Sequence, residues 1–429
     1  MNKIKLGLVP KLIIAIILGI IVGQLGFIPE FLLRIPITFS SLFSSILSFV
    51  IPLMILGYVV VGIADLTEGA GKLLGVTTAI AYGSTLIAGI TAYFVASAFF
   101  PSFITSDLVD QLTGSGEGLT PLFSIPLDPL LDVTGAIVFA FMFGIGISWL
   151  KSQGKGETIY NLFADFGSII TKILNTVIIP GLPFYIFGNF LNLSYSGQVF
   201  GVLSVFWRVF LIVIAMHLLY TVGQFIVAGI IGGKNPLTML KNQIPGYLTA
   251  IGTQSSAATI PVNVECARKN GVSKQIRDFV VPLCATIHLS GSIITITSIV
   301  TAVLLMYGMA HTFGVMAGFI AMLGVAMVAA PGAPGGAIMS ALPFVAMVGI
   351  DPTGTMGQLL ITLYLTQDSF GTAANVSGDN AIAVIMDRFY HKFIITEDQA
   401  REALAAERAE AGLVSPVVID REGTNKVNL

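Results

Sequence analysis

Apolar residues fill this chain in blocks, and the blocks have membrane length. A spanning helix needs about 20 consecutive apolar residues. Blocks of that size run roughly over residues 10–29, 37–64, 74–100, 130–150, 158–191 and 197–231. Two more, near 274–308 and 354–388, each follow an apolar stretch that is interrupted, near 235–268 and 313–350. The pattern predicts an all-α polytopic membrane protein with eight transmembrane helices and two re-entrant helical hairpins.

The interruptions have a clear composition. Residues 252–262 read GTQSSAATIPV, where small polar residues and Pro261 break an apolar run. Residues 329–337 read AAPGAPGGA, and this density of proline and glycine cannot continue a helix. Backbone freed at membrane depth must be buried in protein or line an aqueous cavity. Two such breaks at corresponding places are a pointer to a transporter site. Two kinked helices that merely pack are the competing reading.

No Asp, Glu, Lys or Arg occurs from Phe279 to Ile350. Then the last block carries Asp368, Thr372, Asn375 and Asp379, spaced four, three and four. At about 100° per residue these four share one helix face. A carboxylate at that depth costs roughly 2.5–3.5 kcal/mol on insertion scales. The stripe offers oxygen ligands for a hard cation and acceptors for an ammonium group. A polar packing seam is the alternative, but a seam has no need of two acids. His288 lies in CATIHLSGS, a patch rich in Ser, Thr and Gly, where a proton or cation role competes with simple packing. His217 and His311 lack such a context and read as packing or interface residues.

Composition agrees with a bilayer solvent. The chain has 429 residues, 55% apolar and 10% charged, against roughly 25% charged in soluble domains. The net charge of -2 says nothing of nucleic acid, no basic stripe suggests it, and no nucleic-acid partner is expected. Lys3, Lys5, Lys11, Lys72, Lys151, Lys155, Lys234, Lys241, Arg388, Lys392 and Arg401 fall on one side if the spans alternate. The positive-inside rule makes that side cytoplasmic and places both termini there, in a multi-pass plasma or inner membrane protein. Residues 101–130 fall outside and carry four acids with no Lys or Arg; Arg34 is the outer exception. The N-terminus has lysines before an apolar core but no small-residue cleavage site, so it reads as a retained first span. Cys266 and Cys284 read as small buried residues, and the tail after Lys392 as a solvated end. The glycine runs at 69–71 and 114–118 lack the strand-to-helix setting of a phosphate loop, so an ion gradient is the expected energy source. No nucleophile or metal constellation suggests an enzyme. An ion channel would need repeated rings of selectivity groups, and the chain has one asymmetric cluster.

These segments carry a family resemblance over residues from about 5 to 391. The chain resembles the dicarboxylate/amino acid:cation symporters, which include glutamate transporters and neutral amino acid exchangers. TQSSAATIPV is similar to their serine-rich first hairpin tip. His288-Leu289-Ser290-Gly291-Ser292 stands at their asparagine-methionine-aspartate-glycine-threonine motif. Pro334 and Gly335 match the second tip, and Asn375-Val376-Ser377-Gly378-Asp379 the last-helix motif. QSSAATIPVNV and QDSFGTAANVSGD look most like the bacterial serine/threonine symporter branch.

The resemblance implies a homotrimer with inverted repeats that works as an elevator in the lipid bilayer. Residues 1–73 and 130–192 would form the scaffold; 74–100, 193–233 and 234–391 the transport domain; 101–129 an extracellular loop; 392–429 a cytoplasmic tail. It implies that Asp368 takes a substrate ammonium and Asn375 its carboxylate. Thr372, Ser292, Gly336 and backbone groups of Ser255 and Ser256 would complete the substrate site. Asp379 would ligate one sodium with backbone oxygens of Cys284, His288 and Asn375. A second sodium would use Thr286, Met327, Val328 and Ala330. A third family site falls on Ala81, Ser84, Thr85, His288 and Ser290, and has lost three side-chain ligands. Two sodium ions, or one with a proton on His288, are therefore expected. Acidic-substrate members have an arginine where this chain has Gly371, or one from the first hairpin where it has Gln254. Without either, a second substrate carboxylate would be buried unpaired, so small neutral amino acids such as serine, threonine or alanine are expected.

Overall fold

A computed structural model describes residues 8–66, 72–105, 118–131, 133–328, 330 and 334–393. The lysines at 3 and 5, the glycine runs at 69–71 and 114–117, Pro331 of the second tip and the tail from 394 lie outside the described residues. Every described regular element is helical.

One group of helices comprises α1 (Leu8–Gln24), α2 (Glu30–Met54) running through a π-turn into α3 (Val60–Leu66), and α5 (Val133–Ser152). It also holds α6 (Glu157–Ile173), which runs through a second π-turn into α7 (Ile179–Tyr195). Here α1 lies along α7 and α3 along α5. Glycine permits the first contact: a Cβ on Gly19 would sit 2.7 Å from the carbonyl of Phe187.

The other group comprises α4 (Lys72–Phe99), α8 (Val199–Gly232) and a first hairpin, α9 (Pro236–Thr253) with α10 (Ser256–Lys269). Then follow α11 (Lys274–Ile287) and α12 (Ser290–Met306). A second hairpin joins α13 (Phe313–Val328) to α14 (Gly336–Ala341) and a 3-10 turn, Leu342–Val348. The last described helix, α15 (Thr355–Phe393), packs on α8, α9, α10, α11 and α12. Among the described residues, five helical stretches are long and apolar enough to cross a membrane.

The structure corrects three expectations. Glu30, not residue 37, opens the second span. Pro261 does not break the first hairpin; it sits within α10. The break falls at Gln254, whose left-handed backbone (φ 53°) ends α9, and at Ser255, whose side chain accepts from the Ala258 N–H to start α10. Serine at an N-cap satisfies a donor that the helix cannot. Third, the span near 274–308 is not intact. It opens at His288–Leu289, between α11 and α12. That span is 94% buried over its most apolar window, against 28–44% in the other four. Free backbone is tolerated there because protein, not lipid, surrounds it.

Candidate solute and cation site

The break between α11 and α12 leaves the first N–H groups of α12 without intrahelical partners. Asn375 supplies them. Its Oδ1 accepts from Gly291 N at 2.7 Å and Ser292 N at 3.2 Å, and its Nδ2 donates to Ser292 Oγ at 2.9 Å. A residue of the polar stripe thus caps a helix in another segment. The approach depends on glycine: a Cβ on Gly291 would overlap the Gly371 carbonyl. His217 binds the same corner, with Nε2 at 3.0 Å from both the Gly291 carbonyl and Thr295 Oγ1.

Asp368, Thr372, Asn375 and Asp379 are all buried. Asp368 Oδ2 accepts from the Gly335 N–H of hairpin 2 at 2.7 Å, and Oδ1 from the Tyr364 hydroxyl at 2.8 Å. The same hydroxyl lies 3.2 Å from Ser292 Oγ. Tyr364 was not anticipated; an aromatic residue in an apolar helix gives no sign of its hydroxyl's use. Among the described residues no Lys, Arg or His pairs with Asp368. Gly336, next to the hydrogen-bonding Gly335, opens α14. Ser255 and Ser256 stand at the tip of hairpin 1, where Gln254 Nε2 donates to Ser369 Oγ at 2.8 Å. Gly371 has room for a Cβ, which would meet Thr295 Oγ1 at an ordinary 3.5 Å.

Asp379 lies at the other end of the stripe. Its Oδ1 is 3.0 Å from His288 Nδ1, and both side chains are fully buried. His288 Nε2 is 3.1 Å from Ser84 Oγ, and the Gln224 amide nitrogen lies near both. Gly378 admits this ring; a Cβ there would strike His288 Cε1. Asp379 Oδ2 has no hydrogen-bond partner. A buried, unpartnered carboxylate oxygen is what a cation would complete, so the donor set fits the first sodium group of Asp379 with Cys284, His288 and Asn375. His288 has left the helix, with φ -118° and ψ 98°, although its N–H still binds Cys284 O at 2.8 Å. Thr286 lies in the last turn of α11, Met327 and Val328 in that of α13, and Ala330 just beyond. Helix C-termini present free carbonyls with partial negative charge. At the third group, Ser84 contacts His288, Thr85 Oγ1 donates to Ala81 O at 2.9 Å, and Ser290 Oγ is buried without a partner.

A carboxamide cluster, also not anticipated, ties hairpin 1 to α15. Gln243 Nε2 donates to Asn263 Oδ1 at 2.9 Å, and Asn263 Nδ2 to the Val376 carbonyl at 2.9 Å. Asn380 Nδ2 donates to Gln243 Oε1 and to Asn263 Oδ1. Cys266 and Cys284 are free and buried, as expected.

Helical spans, paired hairpins and an intramembrane stripe of carboxylates describe an ion-coupled membrane transporter rather than an enzyme. The chain belongs to the sodium:dicarboxylate symporter family, whose model matches residues 8–389. It is 26% identical over 402 residues to the serine/threonine transporter SstT of Acinetobacter baumannii, covering 89% of this chain and 97% of that protein. The Acinetobacter baylyi SstT is equally similar, at 26% over 401 residues, 90% of this chain and 98% of that one. Excitatory amino acid transporter 1 of Rattus norvegicus is 26% identical over 266 residues, 60% of this chain and 47% of its own. The chain is thus a multi-pass membrane protein of a sodium-coupled transport family.

Proposed function

We propose that this chain couples sodium entry to uptake of a small neutral amino acid of the serine, threonine or alanine kind. One observation carries the reading: Asp368, buried in α15, is held among the described residues by neutral donors alone. A buried carboxylate without a counter-charge suits a ligand ammonium. Ser292, Thr372, Asn375, Gly336 and the tip residues Ser255 and Ser256 would surround the rest of the ligand. Sodium would sit at Asp379 and at the ends of α11 and α13. The likeness to serine/threonine transporters supports the substrate class, as does glycine at position 371. The helices of the second group would move as one transport domain against the first, in a trimer. The test is uptake into proteoliposomes with sodium and proton gradients imposed separately. Sodium-driven serine, threonine or alanine uptake is expected, and uptake indifferent to sodium would overturn the coupling.

The contact of His288 with Asp379 favours a second reading of the ion count, in which a proton on His288 replaces one sodium. A proton gradient alone would then drive part of the uptake. For the substrate class, Gly371→Arg should admit aspartate, because the fork of an arginine matches a second carboxylate. A binding assay showing no gain for aspartate would count against it.

A further inference from the structure

Arg208 is the one strongly basic residue within α8, and nothing assigned above uses it. It is the tenth of 34 residues in that helix. At 1.5 Å per residue α8 is about 51 Å long, against a hydrocarbon core of about 30 Å. Centred, it overhangs by about 10 Å at each end, which puts the Arg208 backbone about 3 Å inside the boundary. A second segment leaves its helix beside Arg208. Phe103, stacked near Arg208, lies where the chain leaves α4 through the turn Phe100–Ser102.

Two arginines belong to this lysine-poor end of the bundle, and they are held differently. Arg34 Nε donates to Thr120 O at 2.9 Å, and its Nη2 to Thr120 Oγ1 and Pro121 O at 3.2 Å. Among the described residues Arg208 has only ring faces. Its Cζ lies 5.4 Å from the Trp207 ring and 5.6 Å from the Phe103 ring. No carboxylate among the described residues pairs with it. Its neighbours Trp207, Leu211 and Phe200 are more than half exposed, so this face looks outward. Ring faces attract the cation but accept few of its five N–H donors. A long side chain at this depth turns its head toward the headgroups, where phosphate oxygens accept from a guanidinium in pairs.

The geometry points to a site for the phosphodiester of an anionic phospholipid at Arg208, walled by Trp207 and Phe103. Charge selects the occupant. A zwitterionic lipid brings its own cation to offset its phosphate, whereas an anionic lipid leaves a net charge for Arg208 to match. This assignment does not depend on the transported solute.

The chain has two tryptophans, and Trp149 lies 60% exposed on α5. Trp149→Phe therefore leaves Trp207 as the sole reporter in the full-length protein. The experiment reconstitutes that variant in vesicles and compares Trp207 quenching by brominated phosphatidylglycerol and brominated phosphatidylcholine. One basic residue at a membrane surface corresponds to about a fivefold preference for the anionic lipid. Arg208→Gln should remove the preference and Arg208→Lys should retain part of it. Raising the salt to molar concentration should weaken it, since surface charge is screened. Equal quenching by the two lipids, as when a carboxylate of residues 106–117 already holds Arg208, would overturn the assignment. So would an unchanged preference in Arg208→Gln. If that variant does not fold, the lysine variant and the salt titration decide in the same way.

Discussion

Hairpin 1 and hairpin 2 both lie against α15 but are held by different chemistry. Hairpin 1 is joined through the carboxamides of Gln243, Asn263 and Asn380, through Asn263 to the Val376 carbonyl, and at its tip through Gln254 to Ser369. Hairpin 2 reaches α15 through the Gly335 N–H on Asp368, its one hydrogen bond to that helix among the described residues. Separating hairpin 1 would strand several amides in a dry interior, at about 1–3 kcal/mol for each unsatisfied group. Separating hairpin 2 frees one N–H, and it does so at the carboxylate proposed to receive the ligand. A ligand ammonium on Asp368 and closure of hairpin 2 would then be linked through the same side chain. We expect hairpin 1 to stay attached to α15 while hairpin 2 opens.

The largest effect should come from Asp368→Asn. Breaking a buried charged contact of this kind should weaken substrate binding at least about 100-fold. Amide exchange should also quicken around Gly335 and not around Ser255. Unchanged affinity would refute the role given to Asp368, and equal quickening at both tips would remove the contrast. Next is Asn263→Leu, which takes from Gln243 Nε2 its acceptor and from Asn380 Nδ2 one of its acceptors, and frees the Val376 carbonyl. It should cost about 1–3 kcal/mol, read as a lower thermal midpoint with faster exchange confined to hairpin 1. Gly378→Ala is a control that touches neither hairpin. Its methyl would push His288 from Asp379, so the sodium or proton dependence of uptake should shift several-fold while both tips keep their exchange rates. The smallest effect belongs to Gly335→Ala. A φ of 75° strains any L-residue by about 1 kcal/mol, and affinity should fall about fivefold, with faster opening of hairpin 2 alone.

Much of this site was legible in the sequence. Four polar residues spaced four, three and four in an apolar helix can only form a stripe, and the structure buries all of them. The glycine–proline run and the serine tip marked the hairpins, because local backbone chemistry alone ends a helix there. What escaped had its cause elsewhere in the chain. Nothing in CATIHLSGS forbids a continuous helix through His288; the opening is stabilised by Asn375, 84 residues from Gly291. Tyr364, Gln243 and Asn263 looked ordinary because their roles exist only once hairpin 1, α12 and α15 pack. Arg208 passed unnoticed because a single cation leaves the average hydropathy of a long span almost unchanged.

The helix opening at His288–Leu289 also implies an order of events during synthesis. Asn375, which caps the opened turn, is made 84 residues after Gly291. At ribosomal speed that separation is roughly 4–17 s, so residues 274–306 enter the bilayer before their cap exists. Unsatisfied backbone in lipid is costly, so the segment is expected to insert as a continuous helix. It would open once α15 arrives, and the proposed ion site would then form late in assembly.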